Sequence, residues 1–311
     1  MTERAPETPH PTSPATSDTS LPSASAPTEF PAIAFLGVGS MNGAILHGLV
    51  ASGLSVAGGA GDGIRATNRS AAKADALASE YSGLVHALSG EREADANSTA
   101  VRGAGIVVLG VKPYQVSEVL RDIRGELAPG AIVVSVAAGV TIASIAGALP
   151  NGTAVFRAMP NTPARVGAGV TGLAAGPGVT DEQRALVKSL FETVGAVLEL
   201  PESRIDDLSA VSGSGPAYLF AFVEQFEQAA QNIGFTADEA RLLADQTVIG
   251  AARLLDESGQ TAEQLRIAVT SPGGTTQEAL AVISRGGQVE NLTEALRAAI
   301  DRAHEMAADN A

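Results

Sequence analysis

Short apolar runs alternate with helix-like segments from Ala32 to about Leu200, the rhythm of a parallel sheet with crossover helices. The runs are Ala32–Leu36, Ile64–Thr67, Ile106–Leu109, Ile132–Val136, Ala154–Arg157, Val170–Leu173 and Val197–Leu200. Turn residues separate them: Gly53, Gly58, Gly59, Gly61 and Gly63 precede the second run, and Pro129–Gly130 the fourth. Beyond Pro201 only helical periods remain. The pattern therefore predicts an arm over residues 1–29, an α/β, Rossmann-like, doubly wound and mainly parallel domain over 30–202, and an all-α domain over 203–311.

Local signals punctuate the helical part. Pro216 sits where a helix start tolerates it, Gly234 where that helix should end, and Thr236 with Glu239 reads as a capping box. Thr261 with Gln264 repeats the signal. The helix from about Ala237 to Leu255 carries Leu242, Leu243, Val248, Ile249, Leu254 and Leu255 on more than one face. A helix apolar nearly all round needs burial, and so small a domain seldom buries one alone. This points to a dimer that interlocks its helices, making the all-α part a dimerisation domain.

Composition narrows the function classes. With 20 Lys and Arg against 34 Asp and Glu, the formal charge of −14 repels nucleic acid and anionic membrane surfaces alike. There is no cysteine and there are only four His, which argues against thiolate chemistry and against a metal site. Residues 1–29 are rich in Pro, Ser, Thr and Ala and too poor in large apolar side chains to offset their ordering entropy. They lack the apolar core of a signal peptide, and no later run approaches the roughly 20 apolar residues of a membrane helix. A cytoplasmic enzyme with a disordered arm is the expectation.

Directly after the first run comes Gly37-Val38-Gly39-Ser40-Met41-Asn42-Gly43-Ala44, leading into an amphipathic helix. Two glycines let the chain turn tightly and bring backbone N–H groups against a pyrophosphate at a helix N-terminus. The third fingerprint position is Asn42 instead of Gly or Ala, which predicts a changed helix–strand spacing there. The second run ends in Asn68-Arg69-Ser70, a set of donors and positive charge suited to a 2′-phosphate; Asp62, the rival acid, lies at the wrong end of the strand. NADPH is thus favoured, with NADH as an alternative donor. The competing reading leaves Arg69 as a solvated surface charge.

Further segments resemble pyrroline-5-carboxylate reductases: Val111-Lys112-Pro113, Ser135-Val-Ala-Ala-Gly139, Arg157-Ala-Met-Pro-Asn-Thr-Pro163, Ser212-Gly-Ser-Gly-Pro216 and Ser271-Pro-Gly-Gly-Thr-Thr276. The similarity runs from about Ile33 to about residue 305. It implies reduction of 1-pyrroline-5-carboxylate to proline by NAD(P)H. It also implies that Leu36, Gly37, Val38, Gly39, Ser40 and Met41 line the dinucleotide, and that Asn97 reaches the adenosine ribose. Gly110, Val111, Lys112 and Pro113, with Ala137 and Ala138, then flank the nicotinamide half. Where Gly110 stands, the family commonly carries Ala.

Reduction of a C=N bond requires a hydride donor, a protonated electrophile and a grip on the substrate carboxylate. Because the cofactor supplies the hydride, the protein need only position and polarise. Ser271, Gly273, Gly274 and Thr275 suit a carboxylate, since the two glycines are expected to expose N–H groups at the start of a helix from Thr275 to about Ser284. By resemblance, Thr276 offers its hydroxyl to the ring nitrogen. Lys112 is expected at the ligand edge, where it assists cofactor phosphate or substrate carboxylate, or else caps a helix or pairs with an acid. Asn161 supports the nicotinamide or the neighbouring loop. Glu202 is read as an acid near the substrate or a solvated hinge charge. Two other readings stand beside this one: a related imine or 3-hydroxyacid reductase, weakened by the absence of lysine from Pro201 to Ala311, and a non-catalytic nucleotide-binding regulator.

Overall fold

The computed structural model describes residues 29–309, and residues 1–28, the bulk of the expected arm, lie outside it. Glu29 does not belong to that arm: Glu29–Phe30 (β1) pairs in parallel with Ser55–Val56 (β3) as a two-stranded ribbon. Between them run β2 (Ile33–Leu36) and α1 (Ser40–Ala51). There follow β4 (Ile64–Asn68), α2 (Ala71–Glu80), β5 (Val85–Ser89), α3 (Ala96–Val101), β6 (Ile106–Leu109), α4 (Val116–Ile123), β7 (Ile132–Ser135) and α5 (Ile142–Ala148). The sheet is completed by β8 (Ala154–Met159), β9 (Gly169–Ala175), α6 (Asp181–Glu192) and β10 (Gly195–Glu199).

Eight strands form one sheet in the order β10-β9-β8-β7-β6-β2-β4-β5. Every neighbouring pair is parallel except β8–β9. Strand side chains alternate between two apolar layers, as the period of 2 requires. Ile33, Phe35, Ile106 and Val108 face α1 and α6, through Ile45, Leu49, Leu190 and Phe191. Ala34, Leu36, Val107 and Leu109 face α3, α4 and α5, through Val101, Leu120 and Ile145. Both faces are covered, which is why these strands read as unbroken apolar runs. Strand β5, absent from the sequence reading, extends the edge beyond β4.

The chain then becomes helical: α7 (Ile205–Leu208), a π-helical turn at 209–213, α8 (Gly215–Asn232), α9 (Ala237–Glu257), α10 (Ala262–Ala268), α11 (Thr275–Ile283) and α12 (Gln288–Asp309). Pro216 lies in the first turn of α8, and Gly234, with φ +112°, follows its end. The Thr236–Glu239 and Thr261–Gln264 capping boxes open α9 and α10. Helix α9 does not bury its leucines within one chain; only Ala240 and Ala244 are buried. Leu242 is 63% exposed, and on α8 Phe220 is 66% exposed. No described helix is long and apolar enough to cross a membrane.

Candidate active site

Strand β2 is flanked by β4 on one side and β6 on the other, so the order of the strands along the sheet reverses there and leaves a crevice beyond the ends of β2 and β6. Ligands of open α/β sheets bind in such crevices. Gly37, just past β2, has φ +78°, and a Cβ there would stand 2.6 Å from Val111 Cγ1. Only glycine lets the two crevice walls approach this closely. Leu36 is buried and Val38 half-buried, while Gly39 and Ser40 face solvent and Met41 is partly covered.

The N–H groups of Gly37 and Val38 are not aimed at the crevice, as the expected pyrophosphate turn would have them. Both donate to Thr67 O, at 3.1 and 2.9 Å. The N–H groups of Ser40 and Met41, in the first turn of α1, have no intrahelical partner. Gly37 N–H also donates to Thr67 Oγ1, whose hydroxyl donates to Asn97 Oδ1 at 2.8 Å. A polar chain thus joins the glycine turn, the end of β4 and α3. It places Asn97 on the Asn68 side of the crevice. Thr67 was missed in the sequence, where it reads as one more strand residue.

Asn68 is buried at the end of β4, Arg69 is exposed and Ser70 caps α2. Arg69 has no carboxylate partner among the described residues, leaving its guanidinium available. The N-terminus of α2 is occupied by an acid: Glu91 Oε2 accepts from Ala71 N–H at 2.8 Å. On the other side, Lys112 is exposed and likewise has no carboxylate partner among the described residues, so the pairing alternative does not hold. It stands at the N-cap of the 3-10 turn Pro113–Gln115, where its N–H donates to Gln115 Oε1 at 3.3 Å, and its ammonium stays clear of that cap. Gly110, Val111 and Pro113 are half-buried around it, Ala137 is buried and Ala138 exposed at the end of β7. These groups come together along one edge of the sheet.

Three assignments change. Asn161 is buried, with Nδ2 donating to Ser212 O and Oδ1 accepting from Val170 N–H, both at 2.9 Å. It therefore supports the neighbouring loop, tying β9 to the 209–213 turn, with both ends of its amide engaged within the chain. Glu202, expected as an acid near the substrate or a solvated hinge charge, is half-buried and engaged. Its Oε1 accepts from Ile142 N–H at 2.7 Å at the start of α5, and lies 3.8 Å from the buried Arg157 guanidinium. Arg157 is held chiefly by Asp206, at 2.7 Å.

The third change concerns the Ser271–Thr276 loop. Gly273 N–H donates to Gln277 Oε1 at 2.7 Å, and Gly274 N–H to Ser271 O at 3.0 Å. The two amides expected to be exposed are thus engaged within the loop. The unengaged amides are those of Thr275 and Thr276, which open α11 with Gly274 as N-cap. Ser271 and Thr275 are exposed, Thr276 half-buried. Among the described residues, this loop makes no hydrogen bond to the crevice residues.

A doubly wound sheet with a glycine turn at its reversal point, followed by helices that leave broad apolar faces uncovered, defines a dinucleotide-dependent oxidoreductase that assembles through its helical part. The model described as pyrroline-5-carboxylate reductase dimerisation matches residues 202–306. Another, described as NADP oxidoreductase coenzyme F420-dependent, matches residues 32–139. A pyrroline-5-carboxylate reductase of Mycobacterium tuberculosis is 40% identical over 297 residues, covering 88% of this chain and 96% of that one. A solved pyrroline-5-carboxylate reductase from Coxiella burnetii superposes with a TM-score of 0.80 at 40% identity, over 88% of this chain and 97% of its own. One from Streptococcus pyogenes gives 0.70 at 26% identity, over 89% and 99%. The chain belongs to the pyrroline-5-carboxylate reductase family.

Proposed function

We propose that this protein reduces 1-pyrroline-5-carboxylate to L-proline with NAD(P)H, NADPH being the preferred donor. The observation that carries the reading is the glycine-lined crevice at the β2/β6 reversal, in a chain that aligns with these reductases along nearly its whole described length. The crevice fits a dinucleotide: Gly37 takes a left-handed turn, a Cβ at Gly39 would meet nothing within 4 Å, and the start of α1 presents unpaired amides. A nicotinamide cofactor held there supplies the hydride. The chain's own residues bind and orient.

Ser40 and Met41 amides take the pyrophosphate, Asn68, Arg69, Ser70 and Asn97 the adenosine end, and the loops 110–113 and 137–138 the nicotinamide half. The substrate carboxylate is gripped by the start of α11, through the Thr275 and Thr276 amides and the Ser271 hydroxyl. The Gly273 amide joins them when Gln277 yields its hydrogen bond. Thr276 Oγ1 contacts the ring nitrogen and holds the iminium proton in place. Lys112 lends its charge to phosphate or carboxylate.

The loop on α11 and the crevice meet when two copies interlock their helical parts, so the protein works as a homodimer or an assembly of dimers. Oxidation of NADPH by the purified chain in the presence of pyrroline-5-carboxylate, with proline as product, tests the activity. Thr276→Val is expected to lower kcat about a hundredfold, the scale of a lost proton-handling group, with the KM for NADPH unchanged. Lack of turnover in the wild-type chain overturns the reading.

A further inference from the structure

Asn42 and Gly110 depart from the usual pattern together, and the fold puts them in contact. Asn42 lies in the first turn of α1, is 1% exposed, and reaches under the crevice floor. Its Nδ2 donates to Leu36 O at the end of β2 and to Val108 O in β6, each at 3.3 Å. Leu36 O also accepts from Gly110 N–H at 2.8 Å. One side chain therefore grips the two strands whose ends form the crevice, at the level where they part. Asn42 Oδ1 has no hydrogen-bond partner among the described residues.

The Asn42 amide occupies the volume that a side chain at 110 would need. A Cβ built on Gly110 would lie 2.3 Å from Asn42 Cγ and Nδ2 and 2.7 Å from Oδ1. Asn42 is short and fully enclosed, so giving way would break its hydrogen bonds to Leu36 O and Val108 O, leaving Leu36 O with the Gly110 N–H alone. Asparagine at 42 thus demands glycine at 110. Glycine at 42 would make room for alanine at 110.

We infer that Asn42 is a positioning residue for the cofactor: with Gly110 it forms a matched pair that sets the spacing of the glycine turn against the Val111–Lys112 loop. This rests on the dinucleotide reading of the crevice. The Asn42 amide holds α1, β2 and β6 in register, and through them the pyrophosphate-facing amides and the nicotinamide-facing loop. It touches no substrate.

The test is a double-mutant cycle on the full chain, reading the Kd for NADPH by titration, both KM values and the melting temperature. Gly110→Ala is expected to weaken NADPH about tenfold, and Asn42→Gly about threefold. The double variant should bind within about threefold of wild type. The KM for the imino acid should stay within about twofold of wild type in all three, which a general loss of structure would not allow. Should Gly110→Ala fail to fold, its rescue by Asn42→Gly still carries the test. A double variant as weak as the product of the single losses overturns the pairing. So does Gly110→Ala binding like wild type. Asn42→Gly binding like wild type overturns the positioning role. A wild-type chain that binds no NADPH overturns the dinucleotide reading itself, and the pair with it.

Discussion

Arg157 is the one buried charged side chain among the described residues, 4% exposed and held between Asp206 and Glu202. It joins β8 to the first helix after the sheet. Removing one member of a buried ion pair leaves the other desolvated and unpaired, so Arg157→Met is expected to cost about 3 kcal/mol. A urea midpoint unchanged by the substitution would show that the pair holds nothing. Tyr81 offers a test at high pH: its phenol, 3.3 Å from His47 Nδ1, is pushed up to about 12 by burial first and then by Glu80. Between the ordinary tyrosine value of about 10 and that value the unfolded chain loses its proton first. Folding stability is therefore present below that range and declines as pH rises through it. Tyr81→Phe should flatten the decline in thermal melts recorded across the range. In the sequence Arg157 appeared only as part of a longer string, and nothing local singles out Tyr81; burial gives each its property.

At the scale of elements, caps and periods were legible because they are local. Thr236 and Glu239 bond across three residues, and the spacing alone encodes the contact. Strand β5 was not legible: Val85-His86-Ala87-Leu88-Ser89 lacks a β-branched run, and its strand character comes from pairing with β4 in register Asn68↔Ser89. Placing β5 also brings Glu91 to the N-terminus of α2, beside Arg69 and Ser70. A carboxylate there opposes a 2′-phosphate and tolerates a ribose hydroxyl. Glu91→Gln is expected to raise kcat/KM for NADPH relative to NADH about threefold, within the usual range of a charge at a helix end. Steady-state kinetics with both cofactors measures the ratio, and a ratio that holds or falls contradicts this arrangement. The Ser271–Thr276 loop was placed correctly before α11, but which amides it frees was not. Gln277 and Ser271 take up the glycine amides.

Across the whole molecule, the apolar faces of α8 and α9 stay open in one chain: Phe220, Phe222 and Leu242 are each more than half exposed. Patches of this kind mark an interface, and these lie within the part matched by the dimerisation model. The wild-type chain should sediment at no less than twice its own mass. Phe222→Glu with Leu242→Glu should give a folded monomer with turnover reduced by at least about a hundredfold if the Ser271–Thr276 loop grips the substrate from the partner's side, as proposed. A monomer with full activity would show that each chain completes its own site.

The chain's own order of residues determined the alternating sheet, the glycine turn, the caps, the apolar helices and the excess of negative charge, because each is written in neighbours a few positions apart. Tertiary structure alone decided that Asn161 serves Ser212, that Glu202 caps α5, and that Asn42 requires Gly110. Those partners stand tens of residues apart. Which of them meet depends on the path of the backbone and on the buried volume left over once helices cover both faces of the sheet.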